Sequence, residues 1–182
     1  MNRDNLIIDT DRGALLAKDC IEGKPGAHYR LYKLYSKAMF NLAYRITNNR
    51  EDAEDILQEV FAECFSRLNT FRFKSTLGAW LRSITVNRSI NHIKRKRLTL
   101  VFPEEIPDSP EDEDDATDYD IGSVYRGIEA LPDGYRIILS LYLIEGYDHS
   151  EISRILGISE STSKSQYSRA KAKLRKLLKN KR

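Results

Sequence analysis

The stretch EISRILGISESTSKSQYSRAKAKLRKLL, residues 151–178, has the layout of two helices joined by a tight turn. Ile152, Ile155 and Leu156 fall at helical spacing and give the first helix an apolar face. Gly157 follows at the point where the chain must turn and where a side chain would clash. Ser159 is a good N-cap for the second helix because its hydroxyl can accept a hydrogen bond from a free amide of the first turn. The pattern predicts a helix-turn-helix.

The second helix and the residues after it are strongly basic. Residues 160–182 contain nine Lys or Arg side chains and one acid. Ser, Thr and Lys at the start of the helix suit the edges of bases, and the dense positive charge that follows suits phosphates. The stretch therefore indicates DNA binding, although a pair of surface helices without a ligand would show the same apolar spacing.

Length and composition limit the classes of protein that fit. A chain of 182 residues with 41% hydrophobic residues can form one domain or two small ones. It has no apolar run of membrane-spanning length, and its first residues hold no apolar stretch of signal-peptide length, so we expect a cytoplasmic protein without membrane insertion. Cys20 and Cys64 form no CxxC and lack metal-type spacing, which favours buried reduced thiols over a disulfide.

The sequence offers little that would support catalysis. No Gly-rich phosphate loop, no Ser/His/Asp set and no metal-ligand cluster is evident, and His28, His92 and His149 are scattered. We therefore expect no enzyme activity, no catalytic residue, no metal and no cofactor.

Charge divides the chain into three blocks. Residues 1–103 carry a net charge of +7, residues 104–120 carry −10 without a basic side chain, and residues 121–182 carry +6. The acidic block lacks the apolar content needed to fold, and three prolines lie in or beside it, so residues 98–120 are predicted to form a flexible linker. Such a linker could be a plain spacer, or it could mimic nucleic acid and keep the basic blocks apart.

Helical periodicity recurs through the rest of the chain, and β-type alternation is absent. The helices predicted before the helix-turn-helix are Leu15–Glu22, His28–Thr47, Glu51–Leu68, Leu77–Arg97, Ile121–Leu131 and Asp133–Glu145. We therefore predict an all-α fold with two small helical domains, residues 10–97 and 121–180, joined by the acidic linker.

Residues 69–76 form a predicted loop in which aromatic and basic side chains alternate, namely Phe71, Arg72, Phe73 and Lys74. This mixture suits unpaired bases, because aromatic rings stack on them while cations hold the backbone. One of the two phenylalanines is expected to anchor the loop while the other could line a pocket. Trp80, the only tryptophan, is expected in the core in preference to DNA stacking.

Three helix faces carry polar side chains at spacings of three and four residues. Asp55, Gln58 and Glu59 share one face, for which exposure to solvent is the ordinary explanation. Asn87, Arg88, Asn91 and Lys94 share another, which could follow a duplex or a row of phosphates. The outward face of the last helix holds Ser161, Lys164, Ser165, Ser168 and Arg169, whose Lys and Arg can hydrogen-bond guanine. Its inward face is expected to hold Ser163, Tyr167, Ala170, Leu174 and Leu177.

Three segments resemble bacterial RNA polymerase sigma factors of the small extracytoplasmic-function (ECF) branch, which keeps only the second and fourth sigma regions. They are EDAEDILQEVF (51–61), TFRFKSTLGAWLRSITVNRSINHIKRKR (70–97) and LPDGYRIILSLYLIEGYDHSEISRILGISESTSKSQYSRAKAKLRKLL (131–178). The resemblance extends over most of the chain, with the segments in the family's order and spacing.

The resemblance implies a role for each domain and each polar surface. Residues 10–97 would be sigma region two and residues 121–180 sigma region four. Asp55, Gln58 and Glu59 would dock on the β′ clamp of core RNA polymerase, and region four would meet the β flap. The aromatic–basic loop and the polar face that begins at Asn87 would bind and melt the −10 promoter element, and the outward face of the last helix would bind the −35 element. The family often has an anti-sigma factor as a further partner.

Two positions of the last helix depart from the family pattern. Ser163 stands where an aliphatic β-branched residue is common, and Gln166 stands where Arg is common. The pattern therefore supports the fold and leaves the promoter sequence open.

Two other classes of binding protein fit parts of the sequence. A stand-alone helix-turn-helix regulator would carry a ligand or phosphoacceptor domain, usually with strands, and none is visible in the amino-terminal half. A sigma-like decoy that binds polymerase without promoter activity would not need the basic outward face.

Overall fold

The computed structural model describes residues 3–96 and 120–179, with side chains from Arg12 onward. All regular secondary structure in these residues is helical, which confirms the predicted all-α fold class. The α-helices are α1 (Arg3–Ile21), α2 (Ala27–Thr47), α3 (Arg50–Arg67), α4 (Leu77–Lys96), α5 (Ile121–Glu129), α6 (Asp133–Leu139), α7 (His149–Leu156) and α8 (Glu160–Lys179). A 3₁₀ turn covers Leu68–Thr70, and a π-helical turn covers Ser140–Ile144.

The chain divides into two compact units at the junction of His92 and Ile93, inside α4. The first unit contains α1 to α3 and most of α4, and the second contains α5 to α8. Of the predicted linker, residues 98–120, only Asp120 lies within the described residues, where its carboxylate accepts a hydrogen bond from the Ser123 amide and caps α5. None of the described helices combines the length and apolarity needed to cross a bilayer.

Helix α1 extends further toward the N-terminus than the predicted start at Leu15. Gly13 lies inside α1, although its low helix propensity favours a break. A Cβ atom at this position would collide with the Tyr35 hydroxyl of α2. The close approach of α1 to α2 therefore explains a glycine within the helix.

Helices α2 and α3 form the centre of the first unit. Asn48 ends α2 in the left-handed backbone region, at a φ of 52°, and Asn49 starts α3 by accepting a hydrogen bond of 2.9 Å from the amide of Asp52. The turn folds the two helices together so that Leu31 and Ile56 share one core, with at most 1% of either residue exposed.

Helices α5, α6 and α8 enclose one apolar cluster of the second unit, whose buried members are Ile128, Leu131, Tyr135, Leu139, Ala170, Leu174 and Leu178. A Cβ atom added to Gly127 would lie 2.6 Å from Leu174 Cδ1, so a side chain at this contact between α5 and α8 would displace Leu174. Leu177, predicted to face inward, is only partly buried, and Leu178 lies deeper.

The helix predicted over Asp133–Glu145 changes geometry along its length. Helix α6 ends at Leu139 and continues as a π-helical turn, in which the Glu145 amide donates to the Ser140 carbonyl at 3.0 Å. At the start of α6, the buried Arg136 guanidinium lies 2.8 Å from the Asp133 carboxylate.

The predicted helix-turn-helix is confirmed. Asp148 and Glu151 form a reciprocal capping box at the start of α7. Gly157 ends α7 at a φ of 74°, a conformation that L side chains rarely adopt. The Ser159 hydroxyl accepts a hydrogen bond of 3.0 Å from the Thr162 amide, so it caps α8 as expected.

Replacing Leu31 with Ala should destabilise the first unit by about 2–5 kcal/mol, because a fully buried side chain would leave a cavity that closes incompletely. Trp80 packs against the same core, so urea unfolding followed by its fluorescence measures the change. Leu15→Ala is the control, because Leu15 is 60% exposed and should change the free energy of unfolding by less than about 0.5 kcal/mol. Equal losses in the two variants would contradict the assigned core.

Candidate nucleic-acid interface and docking surface

The face of α3 that carries acidic and amide side chains is exposed to solvent, as the sequence predicts. Asp55, Gln58 and Glu59 are all exposed, while Ile56 and Val60 of the same helix are buried in the first-unit core. The three polar side chains therefore form one continuous surface on a helix whose other side is held in place by packing. A surface of this kind can bind a partner through hydrogen bonds and charge without rearranging the core.

The loop between α3 and α4 separates the roles of its two phenylalanines. Phe71 is buried, with its ring centroid 5.2 Å from that of Trp80, and Phe73 is 42% exposed. The two phenylalanine rings contact each other at 4.8 Å. Phe71 thus anchors the loop, and Trp80 packs against the core as expected.

Phe73 reaches its exposed position through an unusual backbone conformation, with a φ of 55°. Left-handed backbone is uncommon for a bulky residue and is a feature of sites held by their surroundings. Lys18 of α1 places its ammonium 6.0 Å from the centre of the Phe73 ring. An exposed ring beside a cation suits stacking on a base with a phosphate nearby. Lys18 was not predicted from the sequence, because nothing in the spacing of α1 connects it with this loop.

The basic members of the loop are exposed, and so is most of the polar face that follows it. Arg72 and Lys74 lie at the surface, and the Thr76 hydroxyl starts α4 by accepting a hydrogen bond of 3.0 Å from the Ala79 amide. On α4, the exposed predicted contacts are Asn87, Asn91 and Lys94. The structure therefore places three of the four predicted α4 contacts directly at the surface.

Arg88, the fourth predicted contact on α4, forms ion pairs with two carboxylates of α3. Its Nε and Nη2 atoms lie 2.7 and 2.6 Å from Glu63 Oε2, and its Nη1 atom lies 3.2 Å from Glu59 Oε2. Glu63 also accepts from Arg67, one helical turn along α3, at 2.5 Å. Burial by itself would raise the pKa of Glu63, but hydrogen bonds from Arg88 and Arg67 hold that pKa below its usual value. Glu63 is consequently a fixed negative charge at neutral pH.

Glu63 is a second residue that sequence analysis missed. The i, i+4 spacing of Glu63 and Arg67 is visible in the sequence, but 25 positions separate Glu63 from Arg88. Only the packing of α3 beside α4 brings the two together.

The outward face of α8 agrees with the prediction. Ser161, Lys164, Ser165 and Ser168 are exposed, and Arg169 is partly exposed. Lys164 forms an ion pair of 2.7 Å with Glu160, and that hydrogen bond raises the pKa of Lys164. The face therefore presents hydroxyls and cations together, the donors that suit base edges and phosphates.

The two positions that depart from the family pattern point into the second unit. Ser163 is fully buried and its hydroxyl lies 2.9 Å from His149 Nδ1, which ties α8 to α7. Gln166 is buried, and within residues 3–96 and 120–179 its side-chain oxygen has no hydrogen-bond partner. Both departures therefore affect how α8 packs against the rest of the second unit, and they do not alter the outward face of α8.

A cluster of three rings also packs α8 against the rest of the second unit. The His149 ring stacks on Tyr142 at 4.6 Å, Tyr142 contacts Tyr167 at 4.5 Å, and the Lys171 ammonium lies 4.9 Å from the Tyr167 ring centre. These contacts join the π-helical turn, α7 and α8, so the outward face of α8 is held rigidly.

Within residues 3–96 and 120–179, no group of three His, Cys, Asp or Glu side chains could hold a metal ion. Cys20 and Cys64 are buried free thiols, as predicted. Burial raises the pKa of Cys64 to about 12, so this thiol stays protonated and unreactive at neutral pH.

Two family models match the chain. The family model described as "Sigma-70 region 2" matches residues 31–99, and the family model described as "Sigma-70, region 4" matches residues 121–174. The first match includes the polar face of α3, the aromatic–basic loop and α4, and the second includes α7 and most of α8.

The chain is also similar to characterised proteins over most of its length. It is 27% identical to the ECF RNA polymerase sigma factor SigW of Bacillus subtilis, over 90% of this chain and 95% of SigW. It is 30% identical to the RNA polymerase sigma factor SigZ of the same organism, over 75% of this chain and 78% of SigZ.

Solved structures share the fold. The sigma factor RpoE of Bartonella quintana, solved in complex with the anti-sigma factor NepR, matches with a TM-score of 0.56 at 23% identity, over 86% of this chain and 99% of RpoE. CnrH, solved in complex with the cytosolic domain of CnrY, matches with a TM-score of 0.54 at 22% identity, over 92% of this chain and 97% of CnrH. Taken with the two family matches and the relatives, this places the chain in the sigma-70 family of RNA polymerase sigma factors, within its extracytoplasmic-function branch.

Proposed function

We propose that this protein is an initiation factor that binds core RNA polymerase, recognises the −35 and −10 promoter elements and promotes DNA melting. The observation that carries the proposal is that one chain holds two different DNA-suited surfaces, each on its own unit. One is a loop with an exposed aromatic ring and cations, and the other is a helix-turn-helix with a basic outward face. Single-stranded and double-stranded DNA call for these two kinds of surface respectively.

We assign polymerase docking to Asp55, Gln58 and Glu59. The support for this is their shared exposure on α3 and the match of this helix to sigma region two. We expect the β′ clamp as the partner of this face and the β flap as the partner of the second unit. Polymerase performs the chemistry of RNA synthesis, and this chain supplies promoter recognition, so its place of action is the cytoplasm.

The −10 element is assigned to the loop and to α4. Phe73 is the side chain best placed to stack on a base that leaves the duplex, because Phe71 and Trp80 hold the loop beneath it. Extruding a base costs a few kcal/mol, which stacking and a fitted pocket must offset. Arg72, Lys74, Asn87, Asn91 and Lys94 would hold the strand by its backbone, and Arg88 would join them once its carboxylate partners release it.

The −35 element is assigned to the outward face of α8. Lys164 and Arg169 are its two cations, and the serines at 161, 165 and 168 add small donors that let the helix approach the groove. A stand-alone regulator would share this face, but it would have no use for the first unit, which matches sigma region two.

We also propose an anti-sigma protein as a regulatory partner. The related folds of RpoE and CnrH were solved with an anti-sigma factor and with the cytosolic domain of CnrY. Run-off transcription with purified core polymerase on genomic DNA tests the whole assignment. Transcripts that start at defined sites only when this chain is added are the expected result, and their absence would count against the proposed function.

Replacing both Gln58 and Glu59 with Ala should weaken binding to core polymerase while leaving the fold intact, because both side chains are exposed. Competition with the wild-type chain for core polymerase measures the loss. A matched control removes one exposed amide and one exposed acid elsewhere, through Asn41→Ala with Glu22→Ala. If the α3 variant competes as well as this control, the docking assignment is wrong.

Replacing Lys164 or Arg169 with Ala should weaken promoter binding by about 1–3 kcal/mol at the base pair that each contacts, if the contact is bidentate to a base. Binding to a library of −35 variants measures this preference. Lys176→Ala, an exposed cation further along α8, should weaken binding to every sequence alike. An unchanged base preference in both test variants would remove these residues from direct readout.

A further inference from the structure

Arg88 occupies an unexpected place between the two assigned surfaces of the first unit. It belongs to the α4 face proposed to follow DNA, yet all three nitrogens of its guanidinium group lie on carboxylates of α3. One of those carboxylates is Glu59, which is also a proposed polymerase contact. The two surfaces therefore meet through a single side chain.

The charges at this junction cancel. Glu59 and Glu63 supply two negative charges, and Arg88 and Arg67 supply two positive charges. The Arg88 side chain is nevertheless 38% exposed, so a phosphate can reach it. While both carboxylates are in place, Arg88 offers a DNA phosphate little net attraction, because the carboxylates compete for the same N–H groups.

We propose that Glu59, Glu63 and Arg88 form an ionic clasp that links polymerase docking to DNA binding. Polymerase that engages Glu59 takes one carboxylate away from Arg88 and leaves Nη1 for a phosphate of the −10 strand. Glu63 is the positioning residue, since its two short contacts keep Arg88 on α3 in the free chain. The proposal rests on the proposed function, which assigns Glu59 to polymerase and α4 to DNA.

The linkage works in both directions. If polymerase and Arg88 compete for Glu59, then removing Arg88 must strengthen docking. If Glu63 and a DNA phosphate compete for Arg88, then removing Glu63 must strengthen DNA binding by the free chain. An ion pair that only stabilises the fold predicts neither effect. These two changes in affinity therefore separate the clasp from a purely structural role.

The first measurement follows DNA binding by the free, full-length chain. A phosphate contact is insensitive to sequence, so the probe is single-stranded DNA of mixed sequence. Fluorescence of Trp80 reports binding at the first unit, because this tryptophan contacts Phe71 in the loop. We expect E63Q to bind at least about fivefold more tightly than wild type and with a steeper dependence on salt. The double variant E63Q/R88Q should lose that gain.

Glu54→Gln is the matched control for a general change in charge. Glu54 lies on the same helix and pairs with Arg50 at 2.9 Å, whereas the carboxylates that act on Arg88 are those of Glu63 and Glu59. E54Q should bind the strand like wild type. An equal gain in E54Q and E63Q, or a gain in E63Q that survives R88Q, would overturn the clasp.

The second measurement follows docking and leaves Glu63 unchanged, so it also guards against a folding defect in E63Q. R88Q should compete for core polymerase at least about fivefold better than wild type, and it should bring no gain in an E59Q background. Unchanged docking of R88Q would overturn the link. If even the wild-type chain fails to bind core polymerase, the proposed function itself is wrong and the clasp falls with it.

Discussion

The burial of one apolar side of each helix is the constraint on which the rest of the structure depends. On α3, Ile56 and Val60 are at most 1% exposed, and this orientation turns Asp55 and Gln58 outward. On α8, burial of Leu174 and its neighbours has the same consequence for the basic face. Because side chains on a helix repeat every 3.6 residues, fixing one side fixes the other. The outward faces of α3 and α8 are therefore set by the cores against which the opposite sides of these helices pack.

In the loop before α4, burial of one side chain also fixes which neighbouring side chain is exposed. It has no helical hydrogen bonds to hold its shape, so a buried Phe71 against Trp80 supplies the anchor. With that anchor in place, Phe73 stays exposed with backbone that a bulky residue rarely adopts. A ring held at the surface loses little further freedom when it stacks on a base, which favours binding of a single strand.

Electrostatics differ between the two units in a way that suits their partners. On α8, the basic side chains outnumber the acids, so the surface attracts duplex phosphates at long range. In the first unit, Glu59 and Glu63 compensate Arg88 and Arg67, so attraction there depends on which contacts are already made. Under the proposed clasp, the first unit would respond to its protein partner, whereas the second presents a positive face whose cations face few acids on α8.

The sequence by itself determined the all-α class, the helix-turn-helix and the outward faces of α3 and α8, because each depends on spacing within one helix or on a local residue such as Gly157 or Ser159. Only the tertiary structure decided which phenylalanine is buried and that Arg88 bonds to Glu63. It also decided that Gly13 lies within a helix, at a point where the Tyr35 hydroxyl of α2 comes close. These outcomes depend on contacts between residues far apart in the chain, and periodicity carries no information about such contacts.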